Sequence, residues 1–285
     1  MFGHRSDGRK IKSLPPLFKI IPQVMRTRSD SQVYYDYDIP ITAMDEYISK
    51  KAEEGIKISY MTIIYAAMVR LIALKPQLNR FVMNTATYAR DEILISLAIK
   101  KNLTEEGEET TVKIPFKGTE NIFEVKEKLD NVINANKDVN NSNETDILAT
   151  ALGIIPNFLL KPIVSFIMFL DKHGMLPKSI ITASPFHTSA FLTNVASLGI
   201  DAIFHHLYNF GTTGLFLAMG KKKKSYIYDD ENNNFKEEKC ISLAFVCDER
   251  ICDGYYFASA VKQFNKFLKK PELLEENIEK VEDIR

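Results

Sequence analysis

Two hydrophobic periods alternate along the chain. In "SQVYYDYDI", residues 31–39, Val33, Tyr35, Tyr37 and Ile39 alternate with polar partners, and a period of two predicts a strand. "TAMDEYISKKAEEG" then changes to helical spacing, with Thr42 at a capping position, Asp45 three residues on and Gly55 at the stop. From Ser59, "SYMTIIYAAMVRLIALKP" is apolar almost all round, which predicts a buried helix ended by Pro76. "RFVMNTATY" and "EILISLAI" read as a hairpin turning at Arg90-Asp91, and "TTVKIPF" as a further strand. Within residues 119–137, Ile122, Val125, Leu129, Val132 and Ile133 form an apolar stripe beneath a charged face, an amphipathic helix. "NKDVNNSNETD" is a polar loop. "TGLFLAMGKKKKSYIYDDENNNFKEEKCISLAFV" reads as three successive strands, linked at Gly220 with its lysine run and at the turn-forming "DDENNN".

The sharpest transition is "SLAFVCDERICDGYYFASAVKQF", residues 242–264. Ile241, Leu243, Phe245 and Cys247 share one strand face, Ser242, Ala244 and Val246 the other; Phe257, Val261, Phe264 and Leu268 then mark the inner face of a helix. Between the two patterns stand Glu249, Arg250 and Asp253-Gly254. Asp253 is placed to cap the helix, and Gly254 lets the backbone turn without a Cβ. Glu249 and Arg250 are chain neighbours, so on an extended backbone they point to opposite faces. Helices early and strands late, without a regular strand–helix–strand alternation, predict a two-layer α/β arrangement in a single domain over residues 1–285, with its core over about 25–270.

Composition narrows the function classes. The 285 residues carry 37 basic and 37 acidic side chains, a balance that excludes a general nucleic-acid binder. The basic, proline-containing N-terminus has no apolar run of the kind a secretory signal needs. Cys240, Cys247 and Cys252 form no paired motif, which points to a reducing cytoplasm. "LGIIPNFLLKPIVSFIMFL", residues 152–170, approaches membrane-spanning length, but Pro156, Lys161 and Pro162 interrupt it; a buried or surface-docking helix is expected, without membrane contact. His205 and His206 are adjacent and diverge by about 100° on a helix, so they make no ready metal site, and His4 and His173 have no companions. No metal is expected.

"CDERICDG" resembles the signature of the chloramphenicol acetyltransferases and of the catalytic domain of 2-oxoacid dehydrogenase acyltransferases: His, three residues, Asp, Gly, between a strand and a helix. Asp253 and Gly254 match its end; Glu249 stands where the family has its catalytic histidine. The stretch from "YYDYDIP" to "ALKPQLN" is similar to the family's opening strand, helix and long buried helix. "AFLTNVASLGID" is similar to the segment bearing a transition-state hydroxyl, which nominates Thr193 with Asn194 beside it. "AMGKKKK" resembles a strand end whose basic residue holds coenzyme A, which nominates Lys221 and Lys222.

The resemblance implies a two-layer sandwich of the chloramphenicol acetyltransferase type; the sequence leaves no room for a lipoyl domain before it, so none is expected. It also implies a homotrimer with active sites between subunits, and acyl-CoA as co-substrate for a small acceptor bearing a hydroxyl, thiol or amine. In that scheme Glu249 is the general base, Thr193 stabilises the oxyanion, Asp253 fixes the turn and Lys221 meets the cofactor. His187, in "SPFHTSAF", is the spare base or cofactor contact. The rival expectations are a catalytically silent scaffold that binds acyl-CoA on the same trimer, and a membrane-docking accessory protein.

Overall fold

Apolar α-helices and two long strands decide the architecture. A computed structural model describes residues 5–100, 109–136, 143–229 and 232–283. His4, residues 137–142 of the polar loop and residues 230–231 of "DDENNN" lie outside them. In chain order the elements are β1 (Gly8–Lys10), α1 (Pro16–Val24), β2 (Gln32–Pro40), α2 (Thr42–Glu53), α3 (Tyr60–Leu74), β3 (Arg80–Met83), β4 (Ala86–Arg90), β5 (Ile93–Lys100) and β6 (Glu109–Phe116). The second half adds α4 (Ile122–Asn136), α5 (Glu144–Gly153), α6 (Asn157–Lys172), α7 (Lys178–Ala183), β7 (Ala190–Asn194), β8 (Leu215–Asp229), β9 (Asn234–Asp248) and α8 (Gly254–Lys269).

The main sheet has six strands in the order β2-β9-β8-β7-β5-β6, with β5, β7 and β8 parallel and the other pairs antiparallel. A small antiparallel sheet, β1-β4-β3, stands beside it. Helix α3 is buried from Thr62 to Ala73, as a helix apolar all round must be, and Ser59 caps it by accepting from the Thr62 N–H at 3.1 Å. With α2, α4 and α8 it packs Ile63, Met68 and Ile72 onto the sheet face that carries Leu192, Leu217 and Phe245. The opposite face holds a second cluster of Phe191, Phe216, Val246 and Leu207.

Three expectations change. The segment "RFVMNTATY" is not one strand: Asn84 (φ 46°) and Thr85 (φ 63°) make a two-residue turn that folds β3 onto β4. Its partner is therefore internal, and β5 joins the main sheet instead. The lysine run does not break its strand either. β8 runs unbroken through it, with only a bulge between Met219 and Lys222, so two 15-residue strands replace the three expected. The apolar 152–170 region divides at Pro156, which caps α6. Only Asp171 of α6 is buried, and Phe158, Phe166 and Phe169 are exposed; among the described residues no helix is long and apolar enough to cross a membrane.

Gly220 is required by close approach. The backbone at 200–202 lies across β8 here, with the Ala202 N–H donating to Ser242 Oγ at 2.8 Å. A Cβ on Gly220 would fall 2.1 Å from Ala202 N and 2.2 Å from that same Oγ. Backbone cannot yield as a flexible side chain does, so Gly220→Ala is expected to destabilise the fold by about 1–3 kcal/mol. Thermal unfolding reads this directly, and an unchanged midpoint would mean the 200–202 segment is not held against the sheet.

Candidate active site

The turn after β9 is built around a buried carboxylate. Asp248 is fully buried and accepts from the Arg250 guanidinium twice, Nε to Oδ1 at 2.8 Å and Nη2 to Oδ2 at 2.7 Å, and from the Arg250 backbone N–H at 3.1 Å. Arg28 Nε lies 3.5 Å from the same Oδ2, and burial pushes its guanidinium down to about 10 although Asp248 opposes the shift. Arg28 also donates to the carbonyls of Tyr208 at 2.5 Å and Val82 at 3.4 Å, while its backbone N–H reaches Asn209 Oδ1 at 2.9 Å. Asp248 and Arg250 thus face inward, and Glu249 between them is exposed, its backbone N–H donating to the Ser31 carbonyl at 2.8 Å. Arg250 pairs with Asp248, and among the described residues the Glu249 carboxylate has no hydrogen-bond or ion-pair partner.

Asp253 stands at the N-cap of α8 and its Oδ1 accepts from the Tyr256 N–H at 2.7 Å. Gly254 departs from expectation: it opens the helix with an ordinary backbone, and an added Cβ would meet nothing within 4 Å. Within one chain the turn does not require glycine there.

The other nominated residues lie elsewhere. Cys247, Leu215, Ala190 and Ile95 sit opposite one another at one end of the sheet, which places Glu249 at that end. Thr193 pairs with Ala218, whose partner on β9 is Ala244, so Thr193 lies two strands over and three residues along from Cys247, roughly 14 Å from it at ordinary strand spacings, and Glu249 is two residues further on. Asn194 Oδ1 accepts from the Ala196 N–H at 3.1 Å, a local turn contact. Lys221 is six residues beyond Leu215, roughly 20 Å down β8. It is exposed, as is Lys222, whose Nζ lies 4.1 Å from the Tyr60 ring centroid. Lys223 pairs with Asp38 and Asp201, and Lys224 with Glu237; among the described residues Lys221 and Lys222 have no carboxylate partner. His187 is fully buried, with Nδ1 2.8 Å from Ser184 Oγ and Nε2 3.2 Å from Asp171 Oδ1, and burial pushes its pKa down.

A cavity of about 730 Å³ opens at the same sheet end as Glu249, between β6, α4, α5 and α7. Leu94, Val112, Pro115, Val132 and Ile181 supply its apolar wall. Arg90, buried, and Lys113, half-buried, supply its positive charge. Lys113 Nζ donates to the carbonyls of Ile181, Ser184 and His187 at 2.7, 3.0 and 3.3 Å, and burial pushes it down to about 8. Behind the wall Arg5 holds Asp7 through two bonds of 2.8 and 3.0 Å and lies 2.9 Å from Asp171. Burial alone would raise both carboxyls. Arg5 on Asp7, and His187 and Arg5 on Asp171, hold them below the usual carboxylate range. The hydrophobic pattern placed Val132 on a helix stripe and Leu94 and Val112 in strands, but gave no sign of the cavity or of the Arg5, Asp7 and Asp171 cluster behind it. Among the described residues no cluster of His, Cys, Asp and Glu could hold a metal.

Residues 186–275, from just before β7 to just beyond α8, match the family model of the 2-oxoacid dehydrogenases acyltransferase catalytic domain. No curated protein matches the sequence. A probable dihydrolipoamide acetyltransferase from Listeria monocytogenes 4b F2365 is similar in structure, with a TM-score of 0.57 at 13% identity over 92% of this chain and 95% of that one. The cubic core of a pyruvate dehydrogenase multienzyme complex gives 0.59 at 12% identity over 93% and 94%. A chloramphenicol acetyltransferase gives 0.57 at 13% over 92% and 100%. The fold is therefore the two-layer α/β sandwich of these acyltransferases, and the turn bearing Glu249 lies inside the matched segment.

Two outcomes are expected from the buried charges. Asp248→Asn leaves two buried guanidiniums without their counter-ion and is expected to cost about 3–5 kcal/mol; denaturant titration measures it, and a cost below about 1 kcal/mol would show the pair to be dispensable. Asp7 and Asp171 have depressed values when folded, so their contribution is complete above the unfolded value near 3.8 and disappears as pH falls through the depressed ones. Acid unfolding should therefore begin below about pH 4, and Asp7→Asn should flatten that pH dependence.

Proposed function

We propose that the chain is a coenzyme A-dependent acyltransferase that uses Glu249 as general base, works as a homotrimer, and completes each site with residues from two copies. The observation that carries this reading is the outward placement of Glu249 on a turn otherwise locked by Asp248, Arg28 and Arg250 and capped by Asp253. A base must be held where an acceptor can reach it, and this side chain is free to accept a proton.

The chemistry balances with the residues nominated. The Glu249 carboxylate takes the proton of the acceptor's hydroxyl, thiol or amine as that atom attacks the thioester carbonyl. Thr193 donates to the oxyanion. Collapse breaks the carbon–sulfur bond, and the coenzyme A thiolate leaves with the proton returned from Glu249. A carboxylate moved from water into an apolar chamber becomes a stronger base, as a neighbour's surface closing over Glu249 would arrange.

Geometry supports a shared site. Along the sheet order, β9 and β6 are separated by four strand spacings, roughly 19 Å. Glu249 cannot act on a molecule in its own chain's large cavity. A second copy that brings its Glu249 to that cavity removes the difficulty. Lys221 and Lys222, exposed and without carboxylates of their own, are suited to coenzyme A phosphates.

Titration calorimetry with coenzyme A and acetyl-CoA tests the cofactor: micromolar binding weakened about tenfold by Lys221→Ala is expected. Absence of heat with either, on folded protein, sinks the acyltransferase reading. Glu249→Gln should lower transfer at least about a hundredfold while Glu249→His retains it; full activity in Glu249→Gln would remove the base assignment. Light scattering should give three copies per particle, and a monomer would contradict the shared site.

A further inference from the structure

Helix α6 turns outward an apolar face that no described element covers. Of its 16 residues only Asp171 is buried, and Leu160, Ile163, Ile167 and Leu170, at spacings of three and four, form a half-buried stripe toward the rest of the chain. The opposite side carries Leu159, Pro162, Phe166 and Phe169 at the same spacings, with Phe158 beside them. Phe158 is 77% exposed and Phe166 60%, and Ile154, just ahead of the helix, is 79% exposed. A contiguous stripe of this size is a surface that something is built to cover.

Charge decides what covers it. Between residues 147 and 200 the sequence holds one acidic residue, Asp171, and the fold turns it inward, 2.9 Å from Arg5 and 3.2 Å from His187. The exposed charged side chains of α6 and of the connection into α7 are therefore Lys161, Lys172 and Lys178, all positive, in a chain whose totals balance at 37 and 37. Lys161, Ser165 and Lys172 line one flank of the apolar stripe. Lysine is depleted from contacts between protein surfaces, which disfavours a second copy as the occupant. An apolar helix face edged with lysine suits instead the boundary between lipid headgroups and acyl chains. The lysine stems lie along the apolar region there and the ammonium groups reach the phosphates.

We propose that α6 docks the protein on a membrane surface rich in anionic phospholipid. The helix lies flat, with Phe158, Phe166 and Phe169 among the acyl chains and Lys161 and Lys172 at the headgroup phosphates. Sixteen residues make a helix about 24 Å long, short of the roughly 30 Å hydrocarbon core, so it rests on the bilayer and does not cross it. Pro156 at the helix start and Lys161 on its flank argue against a span and are compatible with flat docking. The assignment does not rest on the acyltransferase reading: α6 lies outside residues 186–275 and holds none of the residues given to base, oxyanion or coenzyme A.

The test is flotation of the whole chain at neutral pH with vesicles of phosphatidylcholine alone and of phosphatidylcholine with about one-third phosphatidylglycerol. Binding to the anionic vesicles is expected to be at least about tenfold tighter than to the neutral ones, and raising the salt concentration should shrink the difference. Phe158→Ser with Phe166→Ser should remove binding and leave thermal unfolding unchanged, since both side chains are exposed. Lys161→Glu with Lys172→Glu should remove the preference for anionic lipid. Protein that floats with neither vesicle, floats equally with both, or floats undiminished as the double serine variant overturns the assignment. So does a fall in particle mass of that variant by light scattering, which would make a second copy the occupant of this face.

Discussion

A single buried carboxylate, that of Asp248, organises the end of the molecule where chemistry is expected. It draws Arg28 in from the segment before β2 and Arg250 back from the turn, tying three parts of the chain to one point. Removing such a group from water is costly, so the pairs must be close and the surrounding carbonyls well placed, as Tyr208, Val82 and Met25 are. The consequence is directional. With its two neighbours committed inward, Glu249 has only the outside to face, and its position is fixed by groups that do no chemistry.

Strand order then sets what a single copy can and cannot do. Both Glu249 and the large cavity lie at one end of the sheet, yet β8, β7 and β5 stand between their strands. No side-chain movement spans that distance, whereas symmetric association does so without distorting either copy. The exposed apolar side chains of Tyr34, Ile200, Ile203 and Phe204, with the Tyr34–Phe204 edge contact at 5.3 Å, offer a surface of the kind such association covers.

Periodicity revealed much of the layer structure and little of the charge. α3 was legible because its apolar residues occupy every face, and the β9-to-α8 transition because the period changes from two to helical there. β3 and β4 were not, since "NT" is a weak turn signal and becomes one only when both residues adopt positive φ. The lysine run misled for the opposite reason: charge marks exposure, and an edge of a long hairpin can be exposed without ending the strand. Arg28 looked like one basic residue among several, and Arg90 like a turn residue; each became informative only once its long-range partners were in place. Buried ion pairs join residues far apart in sequence and leave no local pattern.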